Sequence, residues 1–305
     1  MDEFLIVSRL VHFAAVMLLF GASLFSLYAG QGRSKRVGAP FDRWLGNTLL
    51  FAAVAAFLSA LAWWDALAIS MGDGWADAFN IETLKAVLFD TEFGRIWIWR
   101  LAISALLIFA LLLARRSDWT PRINFLVAGL AAALLISLAG VGHAAMHEGA
   151  VHQAAKAIHL IAAGAWVGGL VPLGYVLGKA SPGRVGAWTT YALYALPRFS
   201  RVGYFAVSLV LFSGCWIGWQ MIGGWSDLFT TLYGRVLLAK VLLFSLMTAI
   251  ALSNRFYLMP RISAAQKGAR REINPLRMLW RSVIVEEGIA FAALMAASIL
   301  GTLQP

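Results

Sequence analysis

Long apolar blocks dominate the hydrophobic pattern of this chain. Each block runs for roughly 20 residues or more, which is enough for an α-helix to cross a hydrocarbon core of about 30 Å. The blocks are rich in Ala and Leu and lack the alternation that marks membrane β-strands. Because backbone polar groups in lipid must be paired within their own segment, each block predicts a transmembrane helix. The eight predicted spans are 4–29, 45–70, 95–114, 123–142, 155–178, 202–222, 235–258 and 283–303.

Composition supports the same conclusion. Hydrophobic residues make up 61% of the sequence and charged residues only 13%, whereas a soluble domain carries about 25% charged residues. A soluble chain of 305 residues would lack the polar side chains to cover its surface. The pattern shows no convincing internal repeat and no soluble domain. We therefore expect an all-α, polytopic membrane protein in which residues 1–305 form a single integral membrane domain.

Basic residues are concentrated in alternate loops of this topology. Most of the 25 Lys and Arg residues fall in the loops 30–44, 115–122, 179–201 and 255–282, and the opposite loops are acidic. Because loops rich in Lys and Arg stay in the cytoplasm, both termini are predicted to be periplasmic in a bacterial inner membrane. This topology explains the net charge of +10 without binding to nucleic acid. The apolar spans are expected to contact membrane lipid.

All five histidines of the chain fall on the predicted outer side. Within the segment 143–147, two histidines and a methionine follow the spacing i, i+3 and i+4, which places them on one face of a helical turn. Imidazole suits copper, zinc, iron and nickel, and a thioether adds a preference for Cu(I). These residues predict a periplasm-facing copper site, for Cu(I) or Cu(II). The candidate ligands are His12, His143, Met146, His147, His152 and His159.

Polar residues inside later spans predict a path through the bundle. An ionised side chain at a helix centre costs about 2.5–3.5 kcal/mol on insertion scales, so it normally faces the bundle interior. Lys240 lies in the outer half of the seventh span, and Glu286 and Glu287 lie in the inner part of the eighth. Asn254 is close to the same cytoplasmic end. We expect Glu286 and Asn254 to form an inner polar gate or ion exit.

Several stretches, taken in order, resemble the CopD/PcoD family of copper resistance membrane proteins. The matching stretches are 9–25, 142–170, 198–219, 233–262 and 279–305. The resemblance covers nearly the whole chain, with a family-like core at about 142–305. It implies eight helices, a role in copper homeostasis and periplasmic exposure of the metal-binding residues. It also implies co-operation with a periplasmic copper carrier of the CopC type, which would be a separate chain here.

The resemblance carries over to particular positions. His143, His159 and the stretch 233–240 are family-like, and the family's usual picture is import of copper toward the cytoplasm. The other candidate ligands rest on spacing and topology alone. The leading hypothesis is therefore a copper transporter and not an enzyme, which captures copper at the outer His/Met site and releases it inside.

Two alternatives remain open at the level of sequence. One is a b-type haem or quinone-linked membrane oxidoreductase, in which His12 and His159 would ligate a haem. Arg9, Arg100 or Lys156 would then meet its propionates. The other is a sensor or scaffold that binds copper but moves none.

Overall fold

The chain folds as a bundle of helices. A computed structural model describes residues 2–72, 74–78, 80–115, 120–140, 149–180, 186–266 and 275–303, and none of these residues lies in a β-strand. The α-helices are α1 Asp2–Ala29, α2 Lys35–Met71, α3 Ile81–Phe89, α4 Glu92–Ala114, α5 Pro121–Ser137, α6 Ala150–Lys179, α7 Ala187–Met221, α8 Asp227–Thr230, α9 Leu232–Ser253, α10 Met259–Gln266 and α11 Pro275–Leu300. Short 3₁₀ segments cover Gly30–Gly32, Gly74–Asp77 and Leu138–Gly140, and a π-helical segment covers Asn254–Leu258.

Eight of these helices are long and apolar enough to cross a membrane: α1, α2, α4, α5, α6, α7, α9 and α11. The predicted all-α, polytopic fold with eight spans is therefore confirmed. The predicted spans match the observed helices in order, and most of their ends agree within a few residues. The periplasmic position of both termini stays a prediction from loop charge.

The largest differences lie at the basic ends of two helices. α2 begins at Lys35 and α7 at Ala187, so much of the loops predicted at 30–44 and 179–201 is helical. The apolar pattern marks only the part of a helix that lies in hydrocarbon, whereas a helix continues wherever its backbone bonds are kept. Both extensions contain a proline, Pro40 and Pro197, which the helices accommodate.

The centre of the bundle is the crossing of α1 and α6, where two glycines bring the backbones together. A Cβ atom added to Gly21 would overlap the carbonyl oxygen of Gly164, and one added to Gly168 would overlap the carbonyl oxygen of Met17. Small residues permit such close approach between membrane helices, where apolar burial itself offers little drive to associate. The larger cluster of buried hydrophobic side chains in the bundle surrounds this crossing.

Substitution tests this crossing directly. We expect Gly168→Ala to lower the free energy of unfolding by about 1–3 kcal/mol, because the added methyl group must push the two backbones apart. Gly129→Ala is the matched control, since a Cβ at Gly129 would meet nothing within 4 Å. Thermal unfolding of the purified proteins in detergent measures the difference. Equal melting temperatures for the two variants would contradict the crossing.

Candidate functional site

The predicted outer ligands fall into two groups. His143, Met146 and His147 belong to residues 141–148, which lie outside the described residues, so their place in a copper site stays a prediction. His12, His152 and His159 are described and lie in α1 and α6. The structure therefore shows the surroundings of these three histidines.

His12 is enclosed by three helices and has no exposed surface. Its Nδ1 lies 3.0 Å from the carbonyl oxygen of Ala56 and 3.1 Å from the hydroxyl of Ser59, both on α2. On its other side, a guanidinium nitrogen of Arg100 in α4 is hydrogen-bonded to Nε2. A guanidinium only donates hydrogen bonds, so Nε2 accepts and Nδ1 carries the ring proton. A metal ion at His12 would therefore have to displace Arg100.

Arg100 is a fully buried cation that ties this half of the bundle together. It donates to the carbonyl oxygen of Leu134 at 2.7 Å and to the hydroxyl of Ser137, at the C-terminal end of α5. Its guanidinium also lies 5.0 Å from the ring centre of Trp97. Carbonyl groups at a helix C-terminus carry partial negative charge, which compensates a buried cation. The signal for this role in the sequence was a single charged residue within an apolar span.

His159 lies in α6 with a different environment. Its Nδ1 is 3.0 Å from the hydroxyl of Ser213 in α7, and that hydroxyl donates to the carbonyl oxygen of Leu209. Ser213 therefore accepts from Nδ1–H, which leaves the lone pair of Nε2 for another partner. In the described part of the chain, Nδ1 is the ring nitrogen of His159 that has a hydrogen-bond partner. Trp166, two turns after His159 in α6, has its ring centre 6.0 Å from that of Phe244 in α9, and Lys240 stands one turn before Phe244. The ammonium charge of Lys240 is therefore near enough to act on the His159 ring.

His152 lies nearer the outer end of α6. It is two turns before His159, about 10 Å along the helix axis at 1.5 Å per residue. Its side chain is buried, with 6% of its surface exposed. The two histidines therefore follow one another on the same side of α6, as the spacing predicts, but they are too far apart to bind one ion together.

The polar residues at the inner end come together. The side-chain amide of Asn254 donates to a carboxylate oxygen of Glu286, which is buried. Asn254 begins the π-helical segment, and such segments are frequent at functional sites. Glu287 points to the other side of α11, where its Oε1 would lie 2.7 Å from a Cβ added to Gly174 of α6. The two neighbouring carboxyl groups therefore face two different helices, and their role as an exit stays a prediction.

A crevice separates α7 from α9. Among the described residues these helices share almost no direct backbone contact, although each packs on a neighbour: α7 on α6, and α9 on α11. At the inner end, Arg255 bridges them by donating to the hydroxyl of Tyr204 at 3.1 Å. At the outer end lies an open cavity of about 510 Å³. It is lined by Gln220, Met221, Ile222, Gly223, Asp227, Leu228, Thr231, Tyr233 and Gly234.

Ser213 in α7 and Lys240 in α9 stand between the cavity residues and the bond that joins Tyr204 to Arg255, and His159 bonds to Ser213 at this level. Within the described ranges, no group of three or more His, Cys, Asp or Glu side chains is close enough to hold a metal ion. A copper ion at His159 would therefore take its other donors from thioethers, from water or from residues 141–148. The sequence indicated His159 and Lys240 but not Ser213, because a serine within a helix gives no indication of which side chain it will hydrogen-bond.

Comparison with known proteins covers both halves of the chain. Residues 1–153 match the family described as copper resistance protein D-like, N-terminal domain, and residues 193–300 match copper resistance protein D. Inner membrane protein YebZ of Escherichia coli (strain K12) is 36% identical over 300 residues, which cover 97% of each chain. No solved structure shows a significant match.

Two further relatives have names that refer to copper. Copper resistance protein D of Pseudomonas syringae pv. tomato is 31% identical over 100% of this chain and 97% of its own length. Copper transport protein CutJ of Bacillus subtilis (strain 168) is 31% identical over 79% of this chain and 44% of its own length. The alignments with the first two relatives cover nearly the whole chain, and this chain, a multi-pass protein of the inner membrane, belongs to the copper resistance protein D family.

Proposed function

We propose that this chain transports copper ions across the inner membrane, capturing them on the periplasmic side and releasing them in the cytoplasm. Membership of the copper resistance protein D family supports a role in copper homeostasis, as does its similarity to a relative named copper transport protein. The observation that carries the proposal is the crevice between α7 and α9. It is open at the end predicted to face the periplasm and bridged at the end predicted to face the cytoplasm.

Capture rests on the His159 imidazole. Metal-binding histidines usually donate their second ring nitrogen to a fixed acceptor, which sets the tautomer and the orientation of the ring. Ser213 supplies that acceptor here, and its own hydroxyl proton is held by the carbonyl oxygen of Leu209. The Nε2 lone pair is then available to copper, and a soft or borderline ion suits it.

The outer loop supplies further donors in this proposal. His143, Met146 and His147 would bind the ion first, and His152 would bind it between the loop and His159. A separate periplasmic copper carrier of the CopC type would deliver the ion to this mouth. The cavity lined by Met221 and Asp227 offers an open surface for that transfer.

Release uses the polar residues at the other end of the same helices. Lys240 in α9 is near His159, and Asn254, Glu286 and Glu287 lie near the end predicted to be cytoplasmic. A buried carboxylate attracts a cation that has lost its other ligands. The π-helical turn at Asn254 is a place where the helix can rearrange with little loss of backbone bonding.

A haem-binding oxidoreductase has less support. A haem held by His12 and His159 would need the Nε2 lone pair of His12, which accepts from Arg100 in the structure. An optical spectrum of the purified protein separates the two functions, since a Soret band would favour the cytochrome. Uptake of copper separates transport from a sensor or scaffold that binds the ion without moving it.

The capture proposal predicts the effect of removing one imidazole. We expect His159→Ala to lower copper uptake into proteoliposomes at least about tenfold, because the loss of a single metal ligand is worth about 1.4 kcal/mol or more. Ile158→Ala is the matched control, since Ile158 is the preceding residue and is exposed on the surface of α6. Wild-type protein that takes up no copper would overturn the proposed function.

The exit proposal predicts a variant that binds but does not release. We expect Glu286→Gln to impair copper translocation while copper binding at the outer mouth stays as in the wild type, because the change removes an ionisable carboxyl group only at the inner end. Glu82→Gln, on the exposed helix α3, serves as the control. Transport by Glu286→Gln at the wild-type rate would remove Glu286 from the path.

A further inference from the structure

Two histidines in the chain stand in the same sequence pattern. His12 precedes Gly21 by nine residues, and His159 precedes Gly168 by the same interval. The two glycines are the ones that meet where α1 crosses α6, and each lies against the residue four positions before the other. Such a reciprocal contact is what a two-fold axis between the helices produces. A basic residue also stands three positions before each histidine; these residues are Arg9 and Lys156.

A second pattern repeats in α4 and α9. Each helix follows a short outer helix, and each begins after a threonine whose hydroxyl accepts from the backbone N–H of a glycine three residues later. These bonds measure 3.0 Å for Thr91 and 2.9 Å for Thr231. Each glycine packs against the backbone of the short helix before it. Nine residues after the threonine stands a basic residue, Arg100 in α4 and Lys240 in α9.

The two patterns meet at equivalent histidine sites. In the first, His12 Nδ1 is 3.1 Å from the hydroxyl of Ser59 in α2, and in the second, His159 Nδ1 is 3.0 Å from the hydroxyl of Ser213 in α7. Each serine donates to the carbonyl oxygen four residues earlier. These correspondences favour an internal repeat, which the sequence analysis did not predict. The repeat escapes sequence inspection because it keeps only single residues at wide spacing.

We propose that α1–α5 and α6–α11 are tandem copies of one unit with equivalent histidine sites, of which Arg100 closes the first and Lys240 gates the second. The inference rests on the proposed function, because it assigns copper to the second site. A parallel repeat of this kind, related by an axis along the membrane normal, also occurs in other transport proteins.

The packing of the two copies differs in the way this proposal requires. In the first copy α2 packs directly on α4, and His12 and Arg100 between them have no exposed surface. In the second copy the equivalent helices α7 and α9 stand apart, and His159 is only partly buried. The first site is closed by this packing, and the second borders the crevice between α7 and α9.

The basic residue accounts for the difference. The guanidinium of Arg100 donates to the Nε2 of His12, so a permanent cation occupies the lone pair that copper would take. It is also fixed at α5 by Leu134 and Ser137. Lys240 carries a single flexible ammonium group in place of a rigid planar fork, and it leaves the Nε2 of His159 without such a bond. Lys240 is therefore the residue that determines whether the second site accepts copper.

Two substitutions at one position test this inference. We expect Lys240→Arg to lower copper binding and copper uptake at least about tenfold, because the longer guanidinium reaches His159 as Arg100 reaches His12. We expect Lys240→Leu to bind copper at least as tightly as the wild type, since it removes a repulsive charge and adds no metal ligand. The measurements use copper supplied as Cu(II), and as Cu(I) kept reduced with ascorbate, in a His143→Ala/His147→Ala background that removes the loop histidines.

The controls distinguish failure of the Lys240 gate from failure of His159 as the capture site. Lys85→Arg, on the exposed face of α3, makes the same chemical change away from the crevice and is expected to have no effect. Thermal unfolding checks that both Lys240 variants are folded. Copper binding by Lys240→Arg equal to that of Lys240→Leu would overturn the gate and leave the proposed function standing. Absence of copper binding by the background protein itself would instead count against His159 as the capture site.

Discussion

The contact between Gly21 and Gly168 is the constraint on which the rest of the structure depends. It allows the backbones of α1 and α6 to touch, and each helix then presents its histidine nine residues away, about 14 Å toward the outer side at 1.5 Å per residue. A side chain at either position would separate the helices. The depth of both histidine sites in the membrane is thus set by one backbone contact and by helix geometry.

From this common frame the two halves diverge. One half is packed shut around a buried cation whose hydrogen bonds join α1, α4 and α5. The other keeps a crevice between α7 and α9, with an open cavity at one end and the bond between Arg255 and Tyr204 at the other. The two halves therefore differ in whether the helices around the histidine pack on each other.

Much of the fold follows from the sequence because hydrocarbon thickness fixes the length of an apolar helix. The eight spans are predicted for this reason, whereas the starts of α2 and α7 lie in the polar interface, where hydrophobicity carries no signal. The proximity of Asn254 to Glu286 is predicted from their shared depth. The partners of His12 and His159 are not, because they depend on which helices become neighbours, and no periodicity along one helix records that.

Capture of copper from outside requires that the crevice beside His159 opens to the periplasm. The most direct measurement labels single cysteines with a membrane-impermeant thiol reagent, in a Cys215→Ser background, on spheroplasts and on inside-out vesicles. We expect Asp227→Cys, at the mouth of the crevice, to react in spheroplasts and Lys35→Cys to react only in inside-out vesicles. The reverse pattern would place the open end in the cytoplasm and contradict capture from outside.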